Sequence, residues 1–570
     1  MTIGLVGDGP AAAAVEAALG DGDQSVERIA PDELAGAHAA AVAVDRAGAR
    51  TFQEVNERAL AADVAWFAVE LGGVGGYPVV DAAVTGFDPV GACYECLVSR
   101  VASNVPADAD PVSPPRDATA RLAGAMAGHR VVDFLTPAEP DHLGELVEVP
   151  HAERTVLPVP GCDCGDGVAD DLETASGSRT VDESLSRAQR GLDERVGLVS
   201  TVGEAESYPA PYYLAQLCDT SAFADESAGR QAAGVDVGWD AAFMKALGEG
   251  FERYCAGVYR RGAFTHGSVA DVADPVAPSA VVAPDDWAVD DGADRPWVRG
   301  EALGSDERVS LPAELVHYPP PERTTRPAVT TGLGLGNGTV EALLSGLYEV
   351  LERDAATVAW YSTYEPLGLA VDDERYRLLA ARAGAAGLDA TALLLTQDVD
   401  VPVVAVAVRR DEWPKLALGT AAHLDPARAA RNALAEAVQN WVELRELGPG
   451  GAGEAEGAIG RYADSPGEAG AFVDPDQRVP AGSVGPDTVP EGVDHLAEVL
   501  TRVDDAGLSA YAARTTTRDV RDLGFEAVRV VVPAAQPLFF GEPYFGSRAE
   551  TVPESLGFEP RLDRDHHPYP

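Results

Sequence analysis

Three segments of the chain repeat a spacing of acidic residues that could hold metal ions. KALGEGFERY (245–254), SGLYEVLERD (345–354) and NALAEAVQNW (432–441) each place a glutamate two residues after a leucine. On an α-helix of about 3.6 residues per turn, the polar positions fall on one face and the apolar positions on the other. The polar positions are Lys245, Glu249, Glu252 and Arg253 for the first helix, Glu341, Glu349 and Glu352 for the second, and Asn432, Glu436, Gln439 and Asn440 for the third.

These acidic faces predict a metal site if the helices turn them toward one another. Converging carboxylates repel unless cations lie between them, and oxygen ligands with few His or Cys nearby suit Mg²⁺, which bridges carboxylates and phosphates. Arg253 and Arg353 could each hold phosphate oxygens. The glycine-rich stretch TTGLGLGNGT (330–339) enters the second helix at its phosphate-attracting N-terminus, although it is not a Walker A loop. The pattern predicts a nucleotide–Mg²⁺ site; the alternative is three amphipathic helices with solvated acidic faces.

Four cysteines occur in two close pairs. Cys93 and Cys96 form Cys-x-x-Cys, and Cys162 and Cys164 form Cys-x-Cys. Four thiolates in two pairs suit a tetrahedral, structural Zn²⁺ ion. Unpaired reduced thiols or a single redox pair are the alternatives.

The composition limits the class of protein. Of the 570 residues, 92 are acidic and 43 basic, which gives a formal charge of −49. This charge disfavours nucleic acid and anionic membranes as partners. Lys245 and Lys415 are the only lysines, and acid excess with arginine in place of lysine is typical of a salt-rich cytoplasm, where screening is strong. The chain has neither a basic signal segment nor an apolar run near the roughly 18 residues of a membrane span, so we expect a cytoplasmic protein.

The order of predicted elements divides the chain into two domains. Residues 1–165 alternate strands and helices after Gly7-x-Gly9-x-x-Ala12, a dinucleotide-type fingerprint with alanine for the third glycine, and predict an α/β, Rossmann-like domain. Residues 181–570 alternate long amphipathic helices with β-type runs and predict a large α+β domain. The connections that we expect are a Pro/Asp-rich loop from residue 106, a linker over 157–181 and a surface insertion over 446–495.

The repeated segments resemble the signatures of a known family. AGRQAAGVDVGWDAAFMKALGEGFERYCAG (228–257), GNGTVEALLSGLYEVLERDA (336–355) and DPARAARNALAEAVQ (425–439) are similar, in this order, to the three signatures of YcaO-domain proteins. The resemblance covers about residues 181–570. It implies an ATP-dependent enzyme that phosphorylates a peptide amide oxygen: attack by a Cys, Ser or Thr side chain then gives an azoline ring, whereas external sulfide gives a thioamide. A catalytically idle scaffold of a modification complex is the rival interpretation.

The resemblance also implies residue roles. The Mg²⁺ ligands would be Glu249, Glu252, Glu341, Glu349, Glu352 and Glu436, and the ATP or phosphate ligands would be Lys245, Arg253, Asn337, Arg353 and Gln439. Residues 1–165 are similar to the zinc-bearing, ThiF-like domain that accompanies azoline-forming YcaO proteins and presents the peptide. Its zinc ligands would be Cys93, Cys96, Cys162 and Cys164.

The last residues, DRDHHPYP, resemble the proline-rich end of azoline-forming YcaO proteins, which lies in their active site. Pro568 and Pro570 favour a stiff, extended conformation, and the carboxylate of Pro570 is a candidate base or positioning group; a frayed tail is the alternative. This feature favours cyclodehydration. The implied partners are a ribosomally made peptide or protein, a leader-binding, dehydrogenase or sulfur-delivery protein, and a second copy in a homodimer. The implied source is a haloarchaeon.

Overall fold

A computed structural model of the chain describes residues 2–106, 115–137, 139–165, 168–172, 177–305, 307–455 and 457–570. The loop expected from residue 106 lies largely outside the described residues, and so does part of the linker expected over 157–181. No helix of the described ranges is both long enough and apolar enough to cross a membrane.

The first part of the chain forms a seven-stranded sheet with four helices. Its elements are β1 (Thr2–Val6), α1 (Gly9–Asp21), β2 (Ser25–Arg28), β3 (Ala40–Arg46), α2 (Arg50–Ala62), β4 (Trp66–Leu71), β5 (Ala82–Phe87), α3 (Tyr94–Asn104), α4 (Asp117–Phe134), β6 (Glu145–Glu148) and β7 (Ala152–Thr155). The strand order is β2-β1-β3-β4-β5-β6-β7, in which the first four strands run parallel and the rest antiparallel.

Glycine is required at the turn between β1 and α1. Gly7 has φ of 104°, and a Cβ atom at this residue would lie 2.2 Å from the carbonyl oxygen of Val44. Only glycine tolerates both conditions. Pro10, in the first turn of α1, then starts the helix with a fixed φ.

The remaining elements form three further sheets and the long helices. They are α5 (Val181–Ala188), β8 (Val199–Glu206), β9 (Tyr212–Leu217), β10 (Gln231–Val235), α6 (Trp239–Gly257), β11 (Thr265–Gly267), β12 (Arg295–Ala302), β13 (Glu307–Pro312), α7 (Ala313–Val316), β14 (Leu333–Gly336), α8 (Thr339–Trp360), β15 (Leu367–Ala370), α9 (Glu374–Ala385), β16 (Asp389–Leu394), β17 (Val403–Arg409), β18 (Leu416–Ala422), α10 (Pro426–Gly451, kinked at Gly448), α11 (Ile459–Asp464), α12 (Gly467–Phe472), β19 (Arg478–Pro480), α13 (Gly492–Asp505), β20 (Tyr511–Arg514), α14 (Arg518–Asp522), β21 (Glu526–Val531) and α15 (Arg548–Leu556).

Each long helix packs against a different sheet. The three sheets have the orders β10-β9-β8, β11-β12-β20-β21-β14 with β13 beside β12, and β18-β17-β16-β15-β19. Helix α6 lies on the first sheet, α8 on β14 and β21 of the second, and α10 on β17 and β18 of the third. Strand β14 also contacts α6, β18 contacts α8 and β10 contacts α10, so the three acidic helices lie in one region.

One apolar core joins the N-terminal sheet to the rest of the chain. Trp66 of β4 and Phe251 of α6 belong to the same cluster of buried side chains. Within this region Arg100 of α3 forms an ion pair with Asp519 of α14, and both side chains are completely buried. Tyr254 of α6 donates a hydrogen bond of 2.7 Å to the same carboxylate. Because buried charges are stable only when they are paired, this network fixes α3 against α6.

The segment over 446–495 differs from the expected surface insertion. It contains α11, α12 and β19, and β19 pairs with β15 at the edge of a sheet. Tyr462 and Val473 of this segment are buried. Because the segment is rich in Gly, Glu and Asp, its composition does not indicate the few apolar residues, such as Tyr462 and Val473, that pack against the core.

Candidate active site

The three acidic helices begin with the same strand–helix arrangement. A glutamate of each helix accepts a hydrogen bond from a backbone N–H near the preceding strand. The pairs are Ala233 N to Glu249 Oε2 (3.1 Å), Gly332 N to Glu349 Oε2 (3.0 Å) and Thr420 N to Glu436 Oε2 (2.8 Å). These three glutamates occupy the same position of the sequence repeat, so the repeat corresponds to a repeated structural unit.

A glycine in each strand allows the helix to approach. A Cβ atom at Gly234, Gly334 or Gly419 would lie 2.1 to 2.4 Å from backbone atoms of the following helix. Real side chains cannot occupy such positions, so each strand and its helix touch backbone to backbone. The sequence repeat therefore extends to a glycine before each helix.

The helices turn their acidic faces toward one cavity of about 1000 Å³. The predicted site residues that line it are Lys245, Glu249, Glu252, Arg253, Glu341, Glu349, Glu352 and Glu436. Asn337 and Gln439 line an adjoining cavity of about 500 Å³, which shares several of these residues. Asn440 faces elsewhere, since its side chain donates to the carbonyl oxygen of Leu418.

Burial and mutual repulsion disfavour ionisation of these carboxyl groups. Burial, followed by repulsion from Glu349, raises the pKa of Glu252 to about 8. Burial also raises the pKa of Glu436 to about 8, although Arg353 opposes the shift. The pKa of Glu352 is raised by burial as well. A bound cation would offset this cost, because a positive charge nearby stabilises the ionised form of each carboxyl group.

The two predicted arginines lie beside these carboxylates. Arg253 donates to Glu249 over 3.0 Å, while its Nε is buried without a hydrogen-bond partner among the described residues. Arg353 lies between Glu352 and Glu436, at 3.6 Å and 3.8 Å. An unused buried donor beside a carboxylate cluster fits an anionic ligand such as phosphate.

The other predicted ligands are bound to the protein itself. Lys245 pairs with Asp236 over 2.9 Å. Glu341 accepts hydrogen bonds from the backbone N–H and the side-chain amide of Asn337, at 2.8 Å and 3.0 Å. Gln439 donates to Glu443 over 3.0 Å. These contacts fix the rim of the cavity, whereas the glutamates in the middle of α6 and α8, Glu252 and Glu349 among them, point into it.

The tail approaches the carboxylate cluster through Arg353. Arg353 donates to the carbonyl oxygen of Pro570 over 3.3 Å, Pro568 is buried, and Tyr569 has no exposed surface. His567 lies 2.6 Å from the carbonyl oxygen of Phe539, to which Nε2 can donate. The tail is thus packed into the protein. However, neither Pro568 nor Pro570 is among the described residues that line the larger cavity.

The four paired cysteines meet in one cluster. Their sulfur atoms lie within 4.8 Å of one another, with separations of 3.8 Å for Cys93–Cys96, 3.6 Å for Cys93–Cys162 and 3.5 Å for Cys96–Cys164. Zn–S bonds of about 2.3 Å at tetrahedral angles place sulfur atoms about 3.8 Å apart, whereas a disulfide needs about 2.05 Å. The geometry fits a tetrahedral metal ion.

Three polar residues of the cavity wall were missed by the sequence analysis. Tyr348, His423 and His495 lie together, with Tyr348 Oη 2.5 Å from His495 Nε2 and the rings of Tyr348 and His423 5.0 Å apart. Tyr348 falls on the cavity face of α8, one residue before Glu349. No sequence spacing links the two histidines, because they are far apart in the chain and come together only when β18 and α13 fold against α8.

Comparison with known proteins identifies the region that contains this site. The sequence profile of a family described as YcaO cyclodehydratase, ATP- and Mg²⁺-binding, matches residues 233–536, which is more than half of the chain. An uncharacterised protein of Methanothermobacter thermautotrophicus is 33% identical over 210 residues, which is 34% of this chain and 53% of that protein. The chain thus spans about half the length of this curated relative.

Solved structures have the same fold. A heterocyclase in complex with substrate and cofactor has a TM-score of 0.74 at 19% identity, over 99% of this chain and 84% of that one. YcaO from Methanopyrus kandleri, bound with AMPPCP and Mg²⁺, has a TM-score of 0.51 at 23% identity, over 65% of this chain and 94% of that one. At these identities the likeness concerns the fold alone.

Proposed function

The chain belongs to the YcaO family, and we propose that it is an ATP-dependent cyclodehydratase that forms azoline rings from Cys, Ser or Thr residues of a ribosomally made peptide. The observation that carries this proposal is the convergence of carboxylates from three helices in one cavity that Arg253 also lines, with Arg353 paired to two of the carboxylates. An arrangement of this kind suits a nucleotide held through Mg²⁺. The tail that ends at Arg353 favours ring formation over thioamidation.

We assign the roles as follows. Glu252, Glu349, Glu352 and Glu436 hold Mg²⁺, with Glu249 and Glu341 as outer members of the set. Arg253, which lines the larger cavity, binds phosphate oxygens, and so does Arg353, which lies behind Glu352 and Glu436 and is not among the described lining residues. Lys245, Asn337 and Gln439 lie where the rest of the nucleotide would extend. When bound, Mg²⁺ neutralises charge on the transferred phosphoryl group.

The proposed reaction replaces an amide oxygen through phosphorylation. A peptide thiol or hydroxyl attacks the carbonyl carbon of the preceding residue, and its proton passes to a base. The former carbonyl oxygen attacks the γ-phosphorus of ATP, and the bond from phosphorus to ADP breaks. Departure of phosphate and of the amide proton leaves the C=N bond of the azoline. Peptide and ATP thus give azoline peptide, ADP and phosphate.

The remaining parts of the chain support this activity in our proposal. Residues 1–165 form a Rossmann/ThiF-like domain with Zn²⁺ at Cys93, Cys96, Cys162 and Cys164, and residues 181–570 form the ATP-binding domain. Pro568 stiffens the tail, and Pro570 positions substrate or accepts a proton. The enzyme acts as a homodimer in the cytoplasm of a halophile, with a leader-binding or dehydrogenase partner.

Product mass and ATP turnover test the proposal. The purified chain, in concentrated KCl with Mg²⁺, is given ATP and synthetic peptides in which a single Cys, Ser or Thr follows glycine. We expect peptide-dependent release of ADP and a product lighter by one water. Exchange of oxygen for sulfur when a sulfide source is added would favour thioamidation. ATP binding without any peptide-dependent turnover would favour the scaffold.

A further inference from the structure

The cavity has a polar wall that the proposed nucleotide site does not use. Tyr348, His423 and His495 line the larger cavity but not the adjoining one, which is lined instead by Asn337 and Gln439. Glu252, Glu349, Glu352 and Glu436 line the larger cavity as well. The carboxylate cluster therefore has the amides of Asn337 and Gln439 on the side of the smaller cavity. Elsewhere it is bordered by the side chains of Tyr348, His423 and His495, here called the imidazole wall.

The backbone holds His423 in one tautomer. The N–H of Asp425 donates to His423 Nδ1 over 2.8 Å, so Nδ1 carries a lone pair. Burial, reinforced by the charge of Arg428, lowers the pKa of His423 to about 3, so the ring is neutral at the pH of a cytoplasm. A neutral imidazole has one N–H group. The proton of His423 must therefore be on Nε2.

This N–H group has no acceptor in the part of the chain that the structure describes. Within the described residues Nε2 of His423 makes no hydrogen bond, although the residue is only 7% exposed. Its nearest aromatic neighbours, Tyr348 and His495, bond to each other. Nε2 is not one of the fully buried polar atoms without a partner, so it is accessible from the cavity. The cavity that His423 lines is where an acceptor can be placed.

The position of this donor indicates which ligand supplies the acceptor. A nucleotide that extends from the carboxylates toward Lys245, Asn337 and Gln439 leaves the imidazole wall free. The group that receives the phosphoryl must approach the carboxylate cluster from the part that the nucleotide does not occupy. This group is an amide oxygen, which is an acceptor and becomes negatively charged when the carbonyl carbon is attacked.

We propose that His423 Nε2–H hydrogen-bonds the oxygen of the peptide amide that is to be phosphorylated, and that it stabilises the negative charge that develops there. His423 is then a catalytic residue of an oxyanion site, and the Tyr348–His495 pair supports its ring from the side. This inference rests on the proposed function. The donor gives no proton away, so the atom balance of the reaction is unchanged.

Two substitutions at His423 separate this role from a structural one. His423→Phe keeps a ring but removes the donor, whereas His423→Gln returns an N–H near the position of Nε2. With ATP, Mg²⁺ and the single-Cys peptides, we expect His423→Phe to lower kcat about 10²-fold or more and to leave the affinity for Mg²⁺·AMPPCP unchanged. His423→Gln should recover at least part of the loss. The exposed His129, replaced by Gln, is the matched control.

The failures of the two proposals can be told apart. Full turnover in His423→Phe, or loss of nucleotide affinity with unchanged peptide kinetics, would overturn the role of His423 while leaving the enzyme a cyclodehydratase. A wild-type chain without peptide turnover would overturn both. Independently of activity, ¹⁵N NMR of histidine-labelled chain, assigned with His423→Phe, should place the proton of His423 on Nε2. A proton on Nδ1 would exclude the proposed donor.

Discussion

Thr420 holds carboxylates from two helices at once: its Oγ1 donates to Glu352 over 2.5 Å, and its backbone N–H donates to Glu436 over 2.8 Å. Glu352 belongs to α8 and Glu436 to α10, so a single residue at the end of β18 fixes the distance between the two helices at the cavity. The carboxylates are positioned by the protein before any ligand arrives, which is the condition for effective electrostatic catalysis.

Replacement of the inward glutamates should stop ATP turnover without unfolding the chain. Glu349→Gln and Glu352→Gln each keep the side-chain volume but remove a negative charge from the cluster. We expect Mg²⁺-dependent ATP turnover to fall about 10²-fold or more in each variant. Glu374→Gln, at the exposed start of α9, is the matched control. Wild-type turnover in either inward variant would contradict the assignment.

The carboxylate cluster should make the metal-free chain less stable as pH rises. The pKa values of Glu252 and Glu436 are raised by burial to about 8, from a usual value of 4.5. Between these values the unfolded chain releases protons that the folded chain retains, so the free energy of unfolding falls, by up to roughly 1.4 kcal/mol per pH unit for each group.

Denaturant unfolding at several pH values with a chelator measures this effect. Stability should decline from about pH 5 to pH 8, and Mg²⁺ with AMPPCP should reverse the decline because a bound cation favours the ionised groups. Glu252→Gln should flatten the curve. A metal-free stability that rises over this pH range in the wild type and is unchanged in Glu252→Gln would refute the prediction.

The cysteine cluster should hold one metal ion. We expect about one Zn²⁺ per chain by elemental analysis. Replacing Cys93, Cys96, Cys162 or Cys164 by Ser should remove the ion and lower the melting temperature, because a structural metal contributes to folding. Cys218→Ala, at a buried thiol outside the cluster, should keep the ion. A metal-free wild type with four titratable thiols would rule the site out.

Removal of the tail should separate ring formation from nucleotide binding. Deletion of residues 568–570 removes the contact between Pro570 and Arg353, and we expect peptide conversion to fall about 10²-fold while AMPPCP still binds. Tyr569→Phe is the control, because the Tyr569 hydroxyl is buried without a partner among the described residues. If the truncated chain forms azolines at the wild-type rate, the tail has no catalytic part.

The sequence was most informative where a local period and a chemical requirement coincide. The spacing of Glu249, Glu349 and Glu436 predicts a shared helix face, and the structure places all three at one cavity. The glycine turn at Gly7 and Gly9 likewise lies between a strand and a helix, β1 and α1, as the sequence predicts. A period of 3.6 residues determines which side chains share one face of a helix. One short motif is enough to identify that face.

Other features depend on contacts between distant segments. His423 directly follows β18, and His495 lies in α13. They share a wall with Tyr348 only because α8 packs against both elements in the folded chain. The anchors within 446–495 were hidden for the same reason, since β19 gains its place by pairing with β15. Periodicity cannot reveal which strand a short segment will join.

The network of Arg100, Asp519 and Tyr254 bears on how this protein can be divided. Tyr254 directly precedes Cys255 and follows Arg253, so the buried pair contributed by α3 and α14 abuts the turn of α6 that carries a phosphate ligand in our proposal. A chimera that exchanged the first 165 residues for those of another protein would leave Asp519 as an uncompensated buried charge. Residues 1–165 and the rest of the chain therefore have to be moved together into a chimera, or the buried contacts between them have to be redesigned.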